Sequence, residues 1–155
     1  MVFEFGKFKI DVDVEATREY YAKHGRTVLE DCGCINCRNF YTVMSNPTEK
    51  VRAFFDSIGA DPLKSPEATW FDTNENGIAY YYIIYHLVGT IIHADDIYTP
   101  HPNGNGASLK LESFYEIDKD FKVGFLCKKD YVWKKFPDPC IQLEIDARLP
   151  WVLDE

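Results

Sequence analysis

The sequence predicts an α+β domain: a mostly antiparallel sheet or sandwich of about six strands, with about three short helices in the N-terminal third. Two observations lead to this prediction. Apolar residues recur at helical spacing in three short stretches before residue 60, and from residue 67 onward the apolar period changes to two. Strands do not alternate with long crossover helices, so a doubly wound nucleotide-binding fold is disfavoured.

The N-terminal segment predicts one strand and one helix. Residues 8–14 alternate apolar and charged side chains, which is typical of a strand with one face in water. We expect Asp13 to cap the following helix and a left-handed Gly25 to end it. One face of this helix carries Thr17, Tyr20, Tyr21 and His24.

Two more helices are predicted before the strands begin. The first covers residues 36–44, where apolar side chains share one face. In the second, Asn46 is expected as the N-cap, Pro47 at the first helical position and Glu49 as the partner in a capping box. Its apolar stripe consists of Val51, Phe54, Phe55 and Ile58 and ends at Gly59.

From residue 67 the sequence predicts hairpins. Residues 68–73 and 78–92 flank a turn with an Asn-Gly step, and the second segment is apolar on both faces as far as residue 88. Such a strand is expected in the middle of a sheet that is covered on both sides. Residues 92–107 form a polar loop, followed by strands at 108–117 and 121–127.

The last strand alternates apolar residues, expected to face inward, with polar residues expected to face outward. The outward positions are Gln142, Glu144, Asp146 and Arg148. Trp151, Val152 and Leu153 follow, and we expect this apolar tail to dock on the body of the protein. The 155 residues and 46% hydrophobic content suit one domain over residues 1–155.

Composition excludes some partners and compartments. With 25 acidic and 17 basic residues the net charge is −8, which repels nucleic acid and anionic lipid. No stretch reaches the roughly 20 apolar residues that span a bilayer, and no signal-peptide layout is present. We therefore expect a cytoplasmic protein with reduced cysteines and with another protein as its partner.

Cys32, Cys34 and Cys37 lie within six residues, around Gly33, and predict a metal site. Three thiolates that converge on a turn can bind zinc, although a zinc site normally has a fourth ligand. His24 and Cys140 are the candidates for that ligand. Cys127 is in phase with apolar strand residues and is interpreted as a core thiol.

Two alternatives to zinc stay open for this cluster. Cys34 and Cys37 lie at the start of a predicted helix, where exposed amides lower a thiol pKa, so the pair can be redox-active. Equally, Cys37 can simply be buried on the apolar face of that helix, with the other two as ordinary loop thiols. A thioredoxin-like arrangement of strand and crossover helix is missing from the pattern.

Other candidate groups are weaker. His86, His93, Asp95, Asp96 and His101 lie on one strand end and its loop, where they can bind metal or act as acid and base. Histidines among acidic loop residues are usually exposed and idle. Four tyrosines between residues 80 and 85 can line a ligand cleft, but packing explains them equally well.

The order of segments resembles a set of small uncharacterised bacterial proteins. The resemblance rests on KIDVDVEATREYY, the Cys-x-Cys-x-x-Cys-Arg-Asn-Phe motif, VRAFFDSIGADP, YHLVGT and PWVLDE, and it implies one domain and no known catalytic residue. Our prediction is a small cytoplasmic bacterial binding module whose cysteines hold a structural zinc ion. The alternative is a small redox or metal-dependent enzyme that uses Cys34 and Cys37; the lack of catalytic companions favours the former.

Overall fold

The computed structural model describes residues 1–154 and has the predicted α+β architecture. Its helices account for 25% of the chain and its strands for 38%. Seven strands form one antiparallel sheet, and a separate two-stranded hairpin lies beside it. Glu155, the last residue of the PWVLDE segment, lies outside the described residues.

The elements of residues 1–154 begin with two strands and four helices. These are β1 (Val2–Phe5), β2 (Phe8–Val12), α1 (Val14–His24), α2 (Val28–Asp31), α3 (Ile35–Met44) and α4 (Glu49–Ile58). The remaining strands are β3 (Glu67–Thr73), β4 (Ile78–His93), β5 (Tyr98–Pro100), β6 (Ala107–Leu109), β7 (Tyr115–Asp118), β8 (Phe121–Leu126) and β9 (Cys140–Pro150).

The sheet is built around β4, as its two apolar faces predict. The strand order is β1-β2-β4-β9-β8-β7, with β3 also paired to β4. β4 and β9 are in continuous antiparallel register from Ile78 opposite Pro150 to Val88 opposite Cys140. β3 pairs with the first part of β4, and β2 pairs with its last part.

Helices α3 and α4 cover one face of the sheet and bury aromatic side chains against it. The ring of Phe40 in α3 lies 5.6 Å from that of Tyr81, and the ring of Phe55 in α4 lies 5.0 Å from that of Tyr85. All four side chains are at most 1% exposed. The apolar stripe of α4 thus forms the core that its spacing predicts.

Two predicted helix ends are wrong. Gly25 is extended, with φ −66° and ψ 144°, instead of left-handed. Its lack of a Cβ matters for another reason, since a Cβ there would lie 2.6 Å from the carbonyl oxygen of Tyr21. The N-cap of α4 is Thr48 instead of Asn46, because the Thr48 hydroxyl accepts from the Val51 amide.

The short helix α2 was not predicted; Thr27 and Glu30 form its capping box.

The strand predictions also need correction after residue 92. The predicted loop at 92–107 contains β5, and β6 begins at its end. The predicted strand at 108–117 is interrupted by a 3-10 turn at Leu111–Ser113. β8 ends at Leu126, so Cys127 lies beyond the strand and is exposed, and the interpretation of Cys127 as a core thiol is wrong. The strand β1 was not predicted.

The predicted outward face of β9 is mostly buried. Gln142 is 0%, Glu144 2% and Asp146 6% exposed, whereas Arg148 is exposed as predicted. A second layer covers this face: the β5–β6 hairpin brings Tyr98 to Glu144, and the 127–139 loop brings the amide of Asp130 to Gln142 at 2.8 Å. The sheet is therefore covered on both sides.

Candidate metal centre

The three cysteines lie on the turn between α2 and α3, and each has a defined place in it. Cys32 is the C-cap of α2, and its amide donates to the carbonyl of Val28 at 2.9 Å. Cys34 is the N-cap of α3, and Cys37 lies in the first turn of that helix. Gly33 lies between Cys32 and Cys34 in open space, where a Cβ would meet no atom within 4 Å.

The three thiols converge as the motif predicts. The Sγ atoms of Cys32, Cys34 and Cys37 all lie within 4.8 Å of one another. Two sulfurs bound to the same zinc ion are at most about 4.6 Å apart, because each Zn–S bond is about 2.3 Å. Small side-chain rotations therefore suffice for all three to bind one ion, and the cluster is able to hold a metal.

Burial and hydrogen bonds shift the pKa values of Cys34 and Cys37 in opposite directions. The amide of Cys37 donates to Sγ of Cys34 at 3.4 Å. Burial opposes ionisation of Cys34, but donors from the Cys37 backbone, from the Cys32 and Cys37 thiols and from the Asn36 backbone outweigh it, so the pKa of Cys34 is lowered. Burial, followed by the neighbouring Cys34 and Cys32 thiols, raises the pKa of Cys37. This arrangement favours a thiolate at Cys34 beside a protonated Cys37.

The turn is anchored to the sheet by the residues that follow it in the motif. Asn39 is fully buried, donates to the carbonyl of Pro150 at 3.2 Å, and accepts from the amide of Val152 at 2.8 Å. Tyr81 donates from its hydroxyl to the carbonyl of Asn36 at 2.7 Å. Within the Arg-Asn-Phe part of the motif, Asn39 therefore fixes α3 to the C-terminal segment by hydrogen bonds, and Phe40 fixes it to β4 by packing.

The C-terminal apolar tail is docked only in part: Trp151 packs against the core, whereas Val152 is exposed. Besides the Val152 contact with Asn39, the amide of Trp151 donates to the carbonyl of Gly77 at 2.8 Å. The cysteine turn, the β3–β4 hairpin and the end of β9 therefore lie together at one end of the sheet.

The fourth ligand is not supplied by the predicted candidates in this arrangement. Among residues 1–154, the cluster that can converge on one ion consists of the three cysteines alone. The His24 ring lies 5.1 Å from that of Tyr20, and Cys140 pairs in register with Val88. Cys32 and Cys34 are exposed and Cys37 is half-buried, so a fourth position on a bound ion would be open to solvent or to another molecule.

The histidines and aspartates around residues 86–101 are not brought together as a metal site among the described residues. Asp95 accepts from the Ser113 hydroxyl at 2.7 Å, and both ring nitrogens of His101 contact its own hairpin loop. His86 is buried between the sheet and the second layer. Of the tyrosines, Tyr81 and Tyr85 belong to the helix-covered core, while Tyr82 faces the second layer.

Sequence reasoning missed the polar group around Glu144. The strict alternation of β9 places Gln142, Glu144 and Asp146 on one face, and that signal was available. What was missing was the second layer, which depends on contacts of the 94–114 and 127–139 segments far along the chain.

Comparisons with protein-family models, with curated proteins and with solved structures find no match to this chain. In the described part of the chain, the helices are all too short or too polar to cross a membrane.

Proposed function

We propose that this protein is a small binding module whose three-cysteine turn holds a zinc ion. The observation that supports the proposal is the convergence of Cys32, Cys34 and Cys37, whose sulfurs lie within 4.8 Å of one another on a turn fixed at both ends. Thiolates are ligands that zinc prefers, and a divalent ion would neutralise charges that otherwise repel one another.

The open fourth position suggests how the module acts. Closed structural sites usually have four protein ligands, whereas three ligands leave a position for water or for a group from another molecule. Because Cys32 and Cys34 are exposed, a side chain of a partner protein can reach an ion held there. The proposal therefore extends to a protein partner that completes the metal site, in a reducing compartment such as the bacterial cytoplasm.

Metal content and Cys34→Ser test the proposal. Protein purified without an affinity tag should contain about one equivalent of zinc, and reconstitution with Co²⁺ should give the thiolate-to-metal absorption of a sulfur-rich site. Cys34→Ser should lose the metal and lower the melting temperature, because an ion that binds only the folded state stabilises it by mass action. Cys127→Ser is the matched control, since it removes an exposed thiol outside the cluster.

A different outcome would favour the redox alternative. Suppose that the protein carries less than about a tenth of an equivalent of any transition metal, and that Cys34→Ser leaves the melting temperature unchanged. Zinc binding is then ruled out, because an ion bound to the folded state would have to stabilise it. Mass mapping after peroxide treatment then tells a Cys34–Cys37 disulfide from inert thiols.

A further inference from the structure

A cavity of about 450 Å³ lies between the sheet and its second layer, on the face opposite α3 and α4. That volume lies in the range of small-molecule sites. β3 and β4 contribute Glu67 and Tyr82, β9 contributes Glu144, and the second layer contributes Tyr98, Asp130 and Tyr131. The lining is thus acidic and aromatic, and it is separate from the cysteine turn.

Glu144 is the buried carboxylate of this cavity. It is 2% exposed, and its oxygens accept from the Tyr82 hydroxyl at 2.6 Å, from the Gln142 amide at 2.6 Å and from the Tyr98 hydroxyl. These three donors are neutral. Within residues 1–154, no cationic side chain forms an ion pair with Glu144. Buried charges in proteins are normally paired, so this carboxylate lacks its usual compensation.

Tyr82 and Tyr98 add no charge to the cavity. Burial, and next the neighbouring Glu144 carboxylate, raise the pKa values of Tyr82 and Tyr98, so both hydroxyls stay protonated. Lys128 is a cation beside the cavity, and its Nζ lies 5.5 Å from the centroid of the Tyr98 ring. Lys128 packs over that ring instead of pairing with Glu144.

Negative charge extends further along the same face. Asp146 pairs in register with Tyr82, is 6% exposed, and accepts from Arg148 at 3.3 Å through one oxygen. Its other oxygen, Oδ1, is buried and has no hydrogen-bond partner within the described residues. Asp146 itself is compensated by its ion pair with Arg148 and does not line the cavity, so the negative charge that a ligand there would meet comes from Glu144, Glu67 and Asp130. These carboxylates favour a ligand that donates hydrogen bonds and carries positive charge.

Tyr131 supplies an aromatic ring at the rim of the cavity. It is 62% exposed, although tyrosine gains little from lying in water, and its φ of 59° is in the left-handed region. The ring therefore does not serve the core. Aromatic faces attract ammonium and guanidinium groups through the negative charge of their π-systems.

We propose that this cavity binds a small organic cation, namely a primary amine on a compact apolar body. Its ammonium group would pair with Glu144 and Asp130, while the tyrosine rings contact its apolar part. Inorganic cations are less suitable, since the carboxylates of the lining are not among the described groups whose ligand atoms converge closely enough to hold one metal ion.

Benzylamine tests the proposal, with benzyl alcohol as the neutral probe of the same shape. Amide NMR spectra of the full chain should show saturable shifts at residues around Tyr82 and Tyr98 on addition of benzylamine, and benzyl alcohol should bind at least about tenfold more weakly. Benzyl alcohol that binds within about twofold of benzylamine, or benzylamine that gives no saturable shifts, overturns the proposal.

Variants locate the site. Glu144→Gln keeps the size of the side chain and removes its charge, and we expect it to weaken benzylamine binding at least about fivefold. Since Glu144 is buried and its variant can be unstable, Tyr131→Ala and Asp130→Asn repeat the test at exposed positions. Glu116→Gln, an exposed carboxylate on β7, is the control for lost charge and should bind as the parent protein does. Unchanged affinity in both exposed variants also overturns the proposal.

Discussion

His86 is a buried histidine in a polar network, and its burial favours the neutral ring. It is 1% exposed, its Nε2 lies 3.2 Å from Oε1 of Gln142, and its amide donates to the Tyr21 hydroxyl at 3.1 Å. Burial lowers its pKa below the ordinary value of 6.5, and the contacts with Gln142, Asp130 and Glu144 offset this only in part. Since the amide oxygen of Gln142 is an acceptor, the ring proton lies on Nε2.

His86 should make the protein less stable in mild acid. Its pKa is lower in the folded than in the unfolded chain, so the unfolded chain binds more protons once the pH falls below 6.5. The stability that neutral His86 provides is thus present above this value and is lost below it. Urea unfolding at several pH values should show a smaller loss on acidification for His86→Gln than for the parent protein. Equal losses in the two would contradict the assignment.

At the level of elements, β2 and β4 approach each other closely at Gly89. A Cβ on Gly89 would lie 2.1 Å from the carbonyl oxygen of Asp11 and 3.0 Å from the α-carbon of Val12. Backbone atoms cannot move aside as a side chain can, so the contact requires the two strands to separate. The pairing of β2 with the end of β4 therefore depends on this glycine.

Gly89→Ala should lower the free energy of unfolding by about 2 kcal/mol or more, because it forces apart two paired strands. Chemical denaturation measures the change. Thr90→Ala, at the next and exposed position of β4, is the control and should stay within about 0.5 kcal/mol of the parent protein. A Gly89→Ala protein as stable as this control would mean that β2 pairs differently.

Sequence patterns predict those elements whose signal is local. The apolar stripe of α4 and the doubly apolar β4 appear where they were predicted, and so does the cysteine turn. Long-range contacts are not contained in such patterns. Glu144 alternates like an exposed residue, yet the second layer buries it. Asn39 contacts Pro150 across 111 positions, and Cys127 has the right phase but lies one residue beyond the end of its strand.

For the molecule as a whole, net charge acts on both proposed sites. The chain carries a charge of −8, which attracts cations over distances of about 10 Å at ordinary ionic strength. A zinc ion at the cysteine turn and an organic cation in the cavity are therefore both favoured by the general field of the protein. The same field disfavours anionic ligands at either place.

The two proposed sites differ in how they depend on the core. The core of the protein is formed by apolar side chains from the sheet and from the helices α1 to α4, including Val28 of α2, and it does not include the exposed Cys32 and Cys34. The cysteine turn contacts this core through Asn39, Phe40 and Tyr81. Removing a metal should therefore loosen the turn while the sheet remains folded.

Hydrogen exchange on protein treated with a strong zinc chelator tests this division. Amides of residues 28–38 should lose protection, since α2 is a single turn and the metal would hold its end beside α3. Amides of β4 should keep theirs, because β4 pairs with β9 over its whole first part and is buried on both faces. Cys34→Ser should show the same local pattern without chelator, and Cys127→Ser should not. If chelation instead removes protection from β4 as well, the metal supports the entire fold, and the cysteine turn is part of the core that the sheet requires.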